Sequence, residues 1–414
     1  MKNCIIIGGG IMGLCSAYFL QKEGCKVTVI DKSNITEGAS FVNAGYLTPS
    51  HIIPLASPGM ISKGIKMMFD AASPFYIKPR LNADFLKWSL AFKRSCTKAN
   101  VEKAIPVIKD INLLSEELYT DILNDDAFNF QLDNKGLLMY YQTEKAGESE
   151  MKVARRAIKE GLETYLLSVD EVKELEPNVN LNIKGAIHYK CDSHMSPGEF
   201  MNQLLGYLKK CGVAFYTDEK VTDIKISSGN ISTVMTDKRE ISADEIVIAA
   251  GSWSPFVTKK LGVQLLMQAG KGYRINVKRN TGITIPAILM EAKVAVTPMK
   301  GFTRFAGTME IGGIDHNINP MRVKAIAKAA EKYYNGLKIE QAEIEDAACG
   351  LRPVSPDGLP YIGRVSNYKN VTIATGHAMM GWSLGPATGK LVSEIITDQK
   401  SSMNIEAFNP ERKF

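Results

Sequence analysis

The chain is poor in the residues that build disulfide scaffolds and metal centres. Among 414 residues there are seven cysteines, with no C-x-x-C pair, and five histidines, with no H-x-x-x-H pair. An odd cysteine count without paired spacing argues for a reducing compartment and against a zinc site, so no metal is expected. No uninterrupted apolar run reaches the roughly 20 residues that a membrane-spanning helix needs. Internal repeats and low-complexity linkers are also missing, so any domains must interleave rather than follow one another. No nucleic-acid motif or long basic run occurs, which argues against a nucleic-acid partner.

What is present is an ordinary globular composition, 45% hydrophobic and 23% charged, long enough for one large or two medium domains. The net charge of +6 is unevenly spread. Between His51 and Lys98 stand Lys63, Lys66, Lys78, Arg80, Lys87, Lys93, Arg94 and Lys98 against Asp70 and Asp84, which leaves the rest of the chain neutral. A helix from Asp84 to Lys98 puts Phe85, Trp88 and Phe92 on one stripe. Two readings stand: a helix packed on the body with solvated lysines, or a contact of 51–98 with an anionic membrane surface. The first is the plainer. The location expected is cytoplasmic, with peripheral attachment to the cytoplasmic face of the inner membrane under the second reading.

Residues 4 to 31 carry the strongest signal. An apolar run, Cys4-Ile5-Ile6-Ile7, leads into Gly8-Gly9-Gly10-Ile11-Met12-Gly13, then Ala17, Leu20, Gly24, Val27, Val29 and Asp31. Gly8 permits a tight turn, Gly10 lets backbone approach a pyrophosphate, and Gly13 lets the next helix pack close to the strand. The helix N-terminus offers N–H groups to phosphates, and Asp31 can accept from a ribose hydroxyl. A signal peptide has no reason to place glycines at this spacing. The segment reads as a Rossmann unit that binds an ADP-containing cofactor, with Cys4, Cys15 and Cys25 as small core residues.

Farther along, helical patterns run from about Pro74 to Leu123 and from Glu148 to Glu160, with a strand at 136–141 between them. Ser196-Pro197-Gly198-Glu199 predicts a capping box opening a helix to Lys210. Short strands are expected at 213–216, 221–224 and 231–234, with 228–230 as a turn. Buried strands follow at 245–251 and 371–376, a mixed strand region at 271–313, and a last helix from Gly385 to Thr397.

Three late segments narrow the reading: Cys349-Gly350-Leu351-Arg352-Pro353-Val354-Ser355-Pro356-Asp357-Gly358, Thr375-Gly376-His377-Ala378-Met379-Met380-Gly381-Trp382-Ser383, and Leu384-Gly385-Pro386-Ala387-Thr388-Gly389. Together with the fingerprint and Asn43-Ala44-Gly45, they resemble the glycine/D-amino-acid oxidase-like FAD family, and most nearly its bacterial D-amino-acid dehydrogenases. The resemblance runs from Ile5 to about Thr397. It implies an α/β fold: a Rossmann-type FAD-binding domain (1–50, 194–265, 345–414) and an interleaved α+β substrate domain with a mixed or antiparallel sheet (51–193, 266–344).

The resemblance also implies site residues. Gly8, Gly10, Ile11, Met12, Gly13, Asp31 and Lys32 fall on the adenosine and pyrophosphate side, Val221 at the adenine end. Ser40, Asn43, Ala44, Gly45 and Leu47 form the flavin loop. Ala250, Gly251, Gly350, Gly381, Trp382 and Ser383 line the cofactor. Arg352 matches the arginine that pairs bidentately with a substrate carboxylate, for which a planar guanidinium is suited; the alternative is an arginine tying the 355–358 turn. His377 handles a proton or orients backbone, and His51 and Tyr273 are candidates for the pocket. Met379 stands where the glycine oxidases place a second arginine, which disfavours glycine as substrate. Cys349 matches a position that holds flavin covalently in one branch, against simple packing of a thiol.

The implied activity is FAD-dependent oxidation of D-amino acids, including cyclic amines of the D-proline type, to imino or 2-oxo acids. It proceeds by hydride transfer to flavin N5, and electrons pass to a quinone or another carrier. The alternatives are a glycine or sarcosine oxidase that makes peroxide, and a flavin-binding subunit of a larger dehydrogenase complex.

Overall fold

Ile5, Ile6 and Ile7 are β-branched and buried, the pattern of a strand covered on both faces. The strand Asn3–Ile7 accordingly lies inside a six-stranded sheet, parallel to Lys26–Ile30 on one side and to Glu245–Ile248 on the other. The order is Ala214–Tyr216, Lys26–Ile30, Asn3–Ile7, Glu245–Ile248, Val371–Thr375 and Tyr361–Arg364, with only the last strand antiparallel. This is the Rossmann-type sheet expected. The computed structural model describes residues 1–62, 73–227 and 229–414. Lys63, Lys66 and Asp70 of the basic stretch, and Ser228 of the expected turn, lie outside the described residues.

The helix Ile11–Lys22 packs against the sheet and against the last helix, Gly385–Ile396. Both contacts need glycine. A Cβ on Gly13 would overlap the carbonyl of Gly8, and one on Gly389 would overlap the backbone of Cys15. Gly8 has φ +113° and passes 2.5 Å, measured from an ideal Cβ, from the carbonyl oxygen of Ala249. Only glycine meets both demands there.

A nine-stranded mixed sheet stands beside the first. Its main order is Ala348–Val354, Gln268–Val277, Phe302–Ile311, Val294–Met299, Ala287–Leu289, Leu137–Tyr141, Gly185–Tyr189 and Thr164–Leu167. The helix Pro320–Tyr333 buries Val323, Ile326 and Ala330 in the apolar cluster that holds Ile275 and Phe305 of this sheet. The strand that carries Arg352 belongs here, although residue 352 lies in the stretch 345–414.

Three local expectations are corrected. Phe75–Ile77 is not helical but a strand, paired in parallel with Met309–Ile311; the helices are Ala83–Ser95 and Lys98–Leu123. The capping box at Ser196 does not form, because tertiary partners win: the Ser196 hydroxyl donates to Gln131 Oε1 and Glu199 accepts from the Gln131 N–H. The strand expected to reach Gly251 stops at Ile248, and Gly251–Trp253 turns as a 3-10 helix. The stripe Phe85, Trp88, Phe92 is buried as expected, and Trp88 Nε1 donates to the Val354 carbonyl at 2.9 Å.

Candidate active site

The ends of the parallel strands and one face of the long sheet enclose a single cavity of about 1130 Å³. That exceeds the roughly 300–1,000 Å³ of common small-molecule pockets and suits an extended dinucleotide with a substrate beside it. At one end the turn Gly8–Gly10 and the first residues of the helix, Ile11 and Met12, form the wall. This helix carries no acidic side chain of its own in its first turn, and its N-terminus faces the cavity. The Asp31 carboxylate accepts from Gly9 N at 2.6 Å and from Ser33 N and Oγ, which fixes the phosphate turn to the end of the second strand. Lys32 holds its ammonium 3.4 Å from the ring centre of Trp253, and Trp253 in turn stacks on His316.

The other end is built by the strand Ala348–Val354. Arg352 is enclosed and its guanidinium donates from Nη1 to the Thr308 carbonyl at 2.9 Å. No carboxylate pairs with it among the described residues. Burial alone pushes it down to about 10, so it stays a cation at neutral pH. Beside it, His377 is buried and bonded through Nε2 to Thr388 Oγ1 at 2.9 Å. Burial pushes this imidazole down to about 3, so it is neutral, and its Nδ1 has no partner among the described residues. Trp382 Nε1, also on the cavity wall, is likewise unpartnered among them. A half-buried guanidinium and two orphaned ring nitrogens are what a polar ligand with carboxylate and heterocycle edges would satisfy. The residues fit FAD with an amino acid next to it.

Of the expected site residues, Gly8, Gly10, Ile11, Met12, Asp31, Lys32, Ser40, Asn43, Val221, Ala250, Gly251, Tyr273, Gly350, Arg352, His377, Gly381 and Trp382 border this one cavity. Gly13, Ala44, Gly45, Leu47, His51 and Ser383 do not. Most of these brace the wall from behind. Ala44 O accepts from Thr297 Oγ1, Gly45 O accepts from Met195 N, Leu47 pairs with Ser193, and Ser383 Oγ accepts from Thr48 N. His51 sits instead 3.3 Å from Ser50 Oγ, and burial with the Lys293 charge pushes it down to about 4. The Ser40 hydroxyl accepts from Ile11 N at 3.0 Å, tying the loop to the helix start.

Tyr273 borders the cavity, but its hydroxyl is committed to Glu310 at 3.1 Å, within a cluster that also holds Lys271 and Arg322. Met379 is 53% exposed and stands at no enclosed wall. Cys349 lies outside the cavity lining and donates its Sγ–H to the His316 carbonyl, the behaviour of a packed thiol. Sequence reading missed Trp253 and His316 at the mouth, Gly272 beneath Arg352, and Arg304 behind the flavin loop. Only Gly272 had a local signal, as the middle of Lys271-Gly272-Tyr273.

Residues 3–395 match the family model described as FAD dependent oxidoreductase. A D-amino acid dehydrogenase of Helicobacter pylori is 31% identical over 410 residues, covering 98% of this chain and 97% of that protein. One of Vibrio vulnificus is 29% identical over 411 residues, covering 96% and 97%. Among solved structures, a glycine oxidase from Geobacillus kaustophilus superposes with a TM-score of 0.78 at 20% identity, covering 100% of both chains. An L-proline dehydrogenase from P. horikoshii gives 0.75 at 20% identity, covering 99% of this chain and 97% of its own. At such identities the structural likeness speaks to the fold.

Proposed function

The chain belongs to the FAD-dependent oxidoreductase family, and from that premise we propose that it is a D-amino acid dehydrogenase, acting also on cyclic amines of the D-proline type. The dehydrogenase relatives, matched over nearly the whole chain, support the class of reaction. One observation carries the substrate class: Arg352 is a half-buried cation that lines the end of the cavity with no acidic partner among the described residues. Such a charge is costly unless a ligand pairs with it, and the group that suits its planar fork is a carboxylate.

The division of labour follows from placement. The segments 1–50, 194–265 and 345–414 hold the cofactor, with 51–193 and 266–344 roofing the substrate, except that the Arg352 strand is shared. FAD, when bound, supplies the two-electron acceptor at its N5. Arg352 receives the substrate carboxylate in two hydrogen bonds and so fixes the direction of the Cα–H. His377 keeps a neutral ring at the wall and adds no second positive charge beside the substrate amine, which favours the unprotonated amine that oxidation requires. Next to His377, the Ala378 N–H donates to the Pro353 carbonyl at 2.8 Å, tying segment 377–383 to the Arg352 strand. Leu351, Ile314 and Trp382 line the same cavity and limit water.

Electrons leave to a quinone or another carrier, and we assign that contact to the outer face of helix Ala83–Ser95. Leu86 and Leu90 are exposed there among Lys87, Lys93 and Arg94. Under this reading the protein is cytoplasmic and docks peripherally on the inner face of the membrane.

The test is a panel of D-amino acids and N-alkyl glycines, with dye reduction compared against peroxide release, on wild type and Arg352→Ala. Dye reduction with D-amino acids and little peroxide is expected. Arg352→Ala should keep its yellow colour and lose at least a hundredfold in kcat/KM, about 3 kcal/mol for a lost charge-assisted pair. Near-normal kinetics in that variant would return Arg352 to a purely structural role.

A further inference from the structure

We propose that Gly272, with the β-bulge facing it, is the positioning device that aims Arg352 at the substrate; this rests on Arg352 being the carboxylate receptor. Between Gln268–Val277 and Phe302–Ile311, Lys271 pairs with Glu310 and Tyr273 pairs with Gly307. Gly272 alone therefore faces two residues, Thr308 and Met309. A bulge of this kind bends its strand and re-aims the groups next to it.

Here the group re-aimed is a carbonyl. Thr308 has φ +71°, a region that a β-branched residue enters only under constraint. In this conformation its carbonyl oxygen accepts from Arg352 Nη1 at 2.9 Å. The guanidinium thereby loses one donor to the protein and keeps the rest for a ligand.

The neighbouring strand supplies the space. Arg352 is opposite Gly270 and Gly350 opposite Gly272, so the arginine side chain runs diagonally across the glycine positions. An ideal Cβ on Gly272 would overlap Arg352 itself: its three nearest atoms are Nη1, Nη2 and Cζ of that guanidinium. No other side chain comes as near. The absence of one methyl group is what lets the guanidinium lie flat on the sheet while the strained carbonyl pins one of its nitrogens. Thr308 does not border the cavity, and Gly272 borders it with backbone alone, so both act through Arg352.

Gly272→Ala tests this, with D-alanine as substrate and propionate as a carboxylate that cannot be oxidised, its binding read from flavin absorbance. The variant should retain FAD, raise the KM for D-alanine and the Kd for propionate tenfold or more, and change kcat less. In an Arg352→Ala background the same substitution should add less than a twofold change, because its target is gone. A wild-type KM and propionate Kd in Gly272→Ala, or an equal penalty in both backgrounds, would overturn the proposal. Should Gly272→Ala fail to fold, Gly272→Ala/Arg352→Ala must fold, since it removes the overlapping group; its failure also overturns the proposal. An Arg352→Ala enzyme with unchanged KM and propionate Kd would instead fault the carboxylate reading, and this proposal with it.

Discussion

Two arginines of the long sheet, the half-buried Arg352 and the buried Arg304, have no acidic partner among the described residues, and the protein uses them differently. Arg352 spends one nitrogen on a carbonyl and keeps the rest for the cavity. Arg304 is spent on the protein: Nη1 donates to the Phe41 carbonyl at 2.9 Å and the Asn43 carbonyl at 2.5 Å, and Nε to Asn276 Oδ1 at 3.0 Å. It clamps the loop whose Asn43 borders the cavity, and burial pushes it down to about 9, still charged at neutral pH. Arg304→Gln should therefore raise the FAD dissociation constant tenfold or more, followed by recovery of free flavin fluorescence on dilution. Retention equal to wild type would mean that Thr297 and Tyr46 hold the loop alone. The phosphate turn was legible because the spacing of Gly8, Gly10 and Gly13 between a buried strand and a helix is itself a short pattern. Arg304, Thr308 and Gly272 were not, since each acts on a strand or loop from far along the chain.

At the scale of elements, periodicity predicted well where a helix makes its own case. Ala83–Ser95 has an N-cap, with Asn82 accepting from Phe85 N at 2.8 Å, and a buried stripe at i, i+3, i+7. Phe75–Ile77 misled because three apolar residues carry no period, and only the partner strand near Met309 decides their conformation. The Ser196 box failed for a related reason: a local cap is worth about 1 kcal/mol, and two bonds to Gln131 displaced it. The outer face of Ala83–Ser95 carries Leu86 at 54% and Leu90 at 50% exposure among its basic residues, and the membrane reading of that face is testable. The protein should sediment with anionic phospholipid vesicles at low salt and release at 0.5 M, since exposed charges are screened beyond roughly 10 Å already at 0.1 M. Changing Leu86, Lys87, Leu90, Lys93 and Arg94 to Gln should abolish sedimentation. Absence of wild-type binding at either salt would leave a solvated basic helix.

For the whole molecule, buried histidines and buried carboxyls pull the pH dependence of stability in opposite directions. Burial pushes His377 down to about 3 and His194 down to about 4, whereas in the unfolded chain each takes its proton near pH 6.5. Between those values the unfolded chain binds more protons, so stability present above pH 6.5 is lost as pH falls. Asp192 acts in the opposite sense, since burial pushes it up to about 7 and the folded chain holds its proton first. Glu116, Glu150 and Glu176, whose carboxyls burial also raises, act with Asp192, while His51 acts with the other histidines. The contribution of one histidine is therefore read by difference: from pH 6.5 to pH 4.5 the thermal midpoint of wild type should lose more, or gain less, than that of His377→Gln. Parallel midpoints of the two proteins over this range would show His377 to be solvated.

The strand order has a further consequence for how the chain is made. Asn3–Ile7 leaves the ribosome early, yet one of its two neighbours is Glu245–Ile248, and the helix covering its own helix is Gly385–Ile396. At roughly 5–20 residues per second, the first partner arrives on the order of 10–50 s later and the cover later still. Through that interval the nascent chain offers Ile5, Ile6 and Ile7 on an open edge, ready to pair with any extended strand. A chain terminated before Glu245 leaves that edge open for good, and it should be recovered chiefly in the insoluble fraction, whereas a soluble folded fragment would show that the edge is covered in another way.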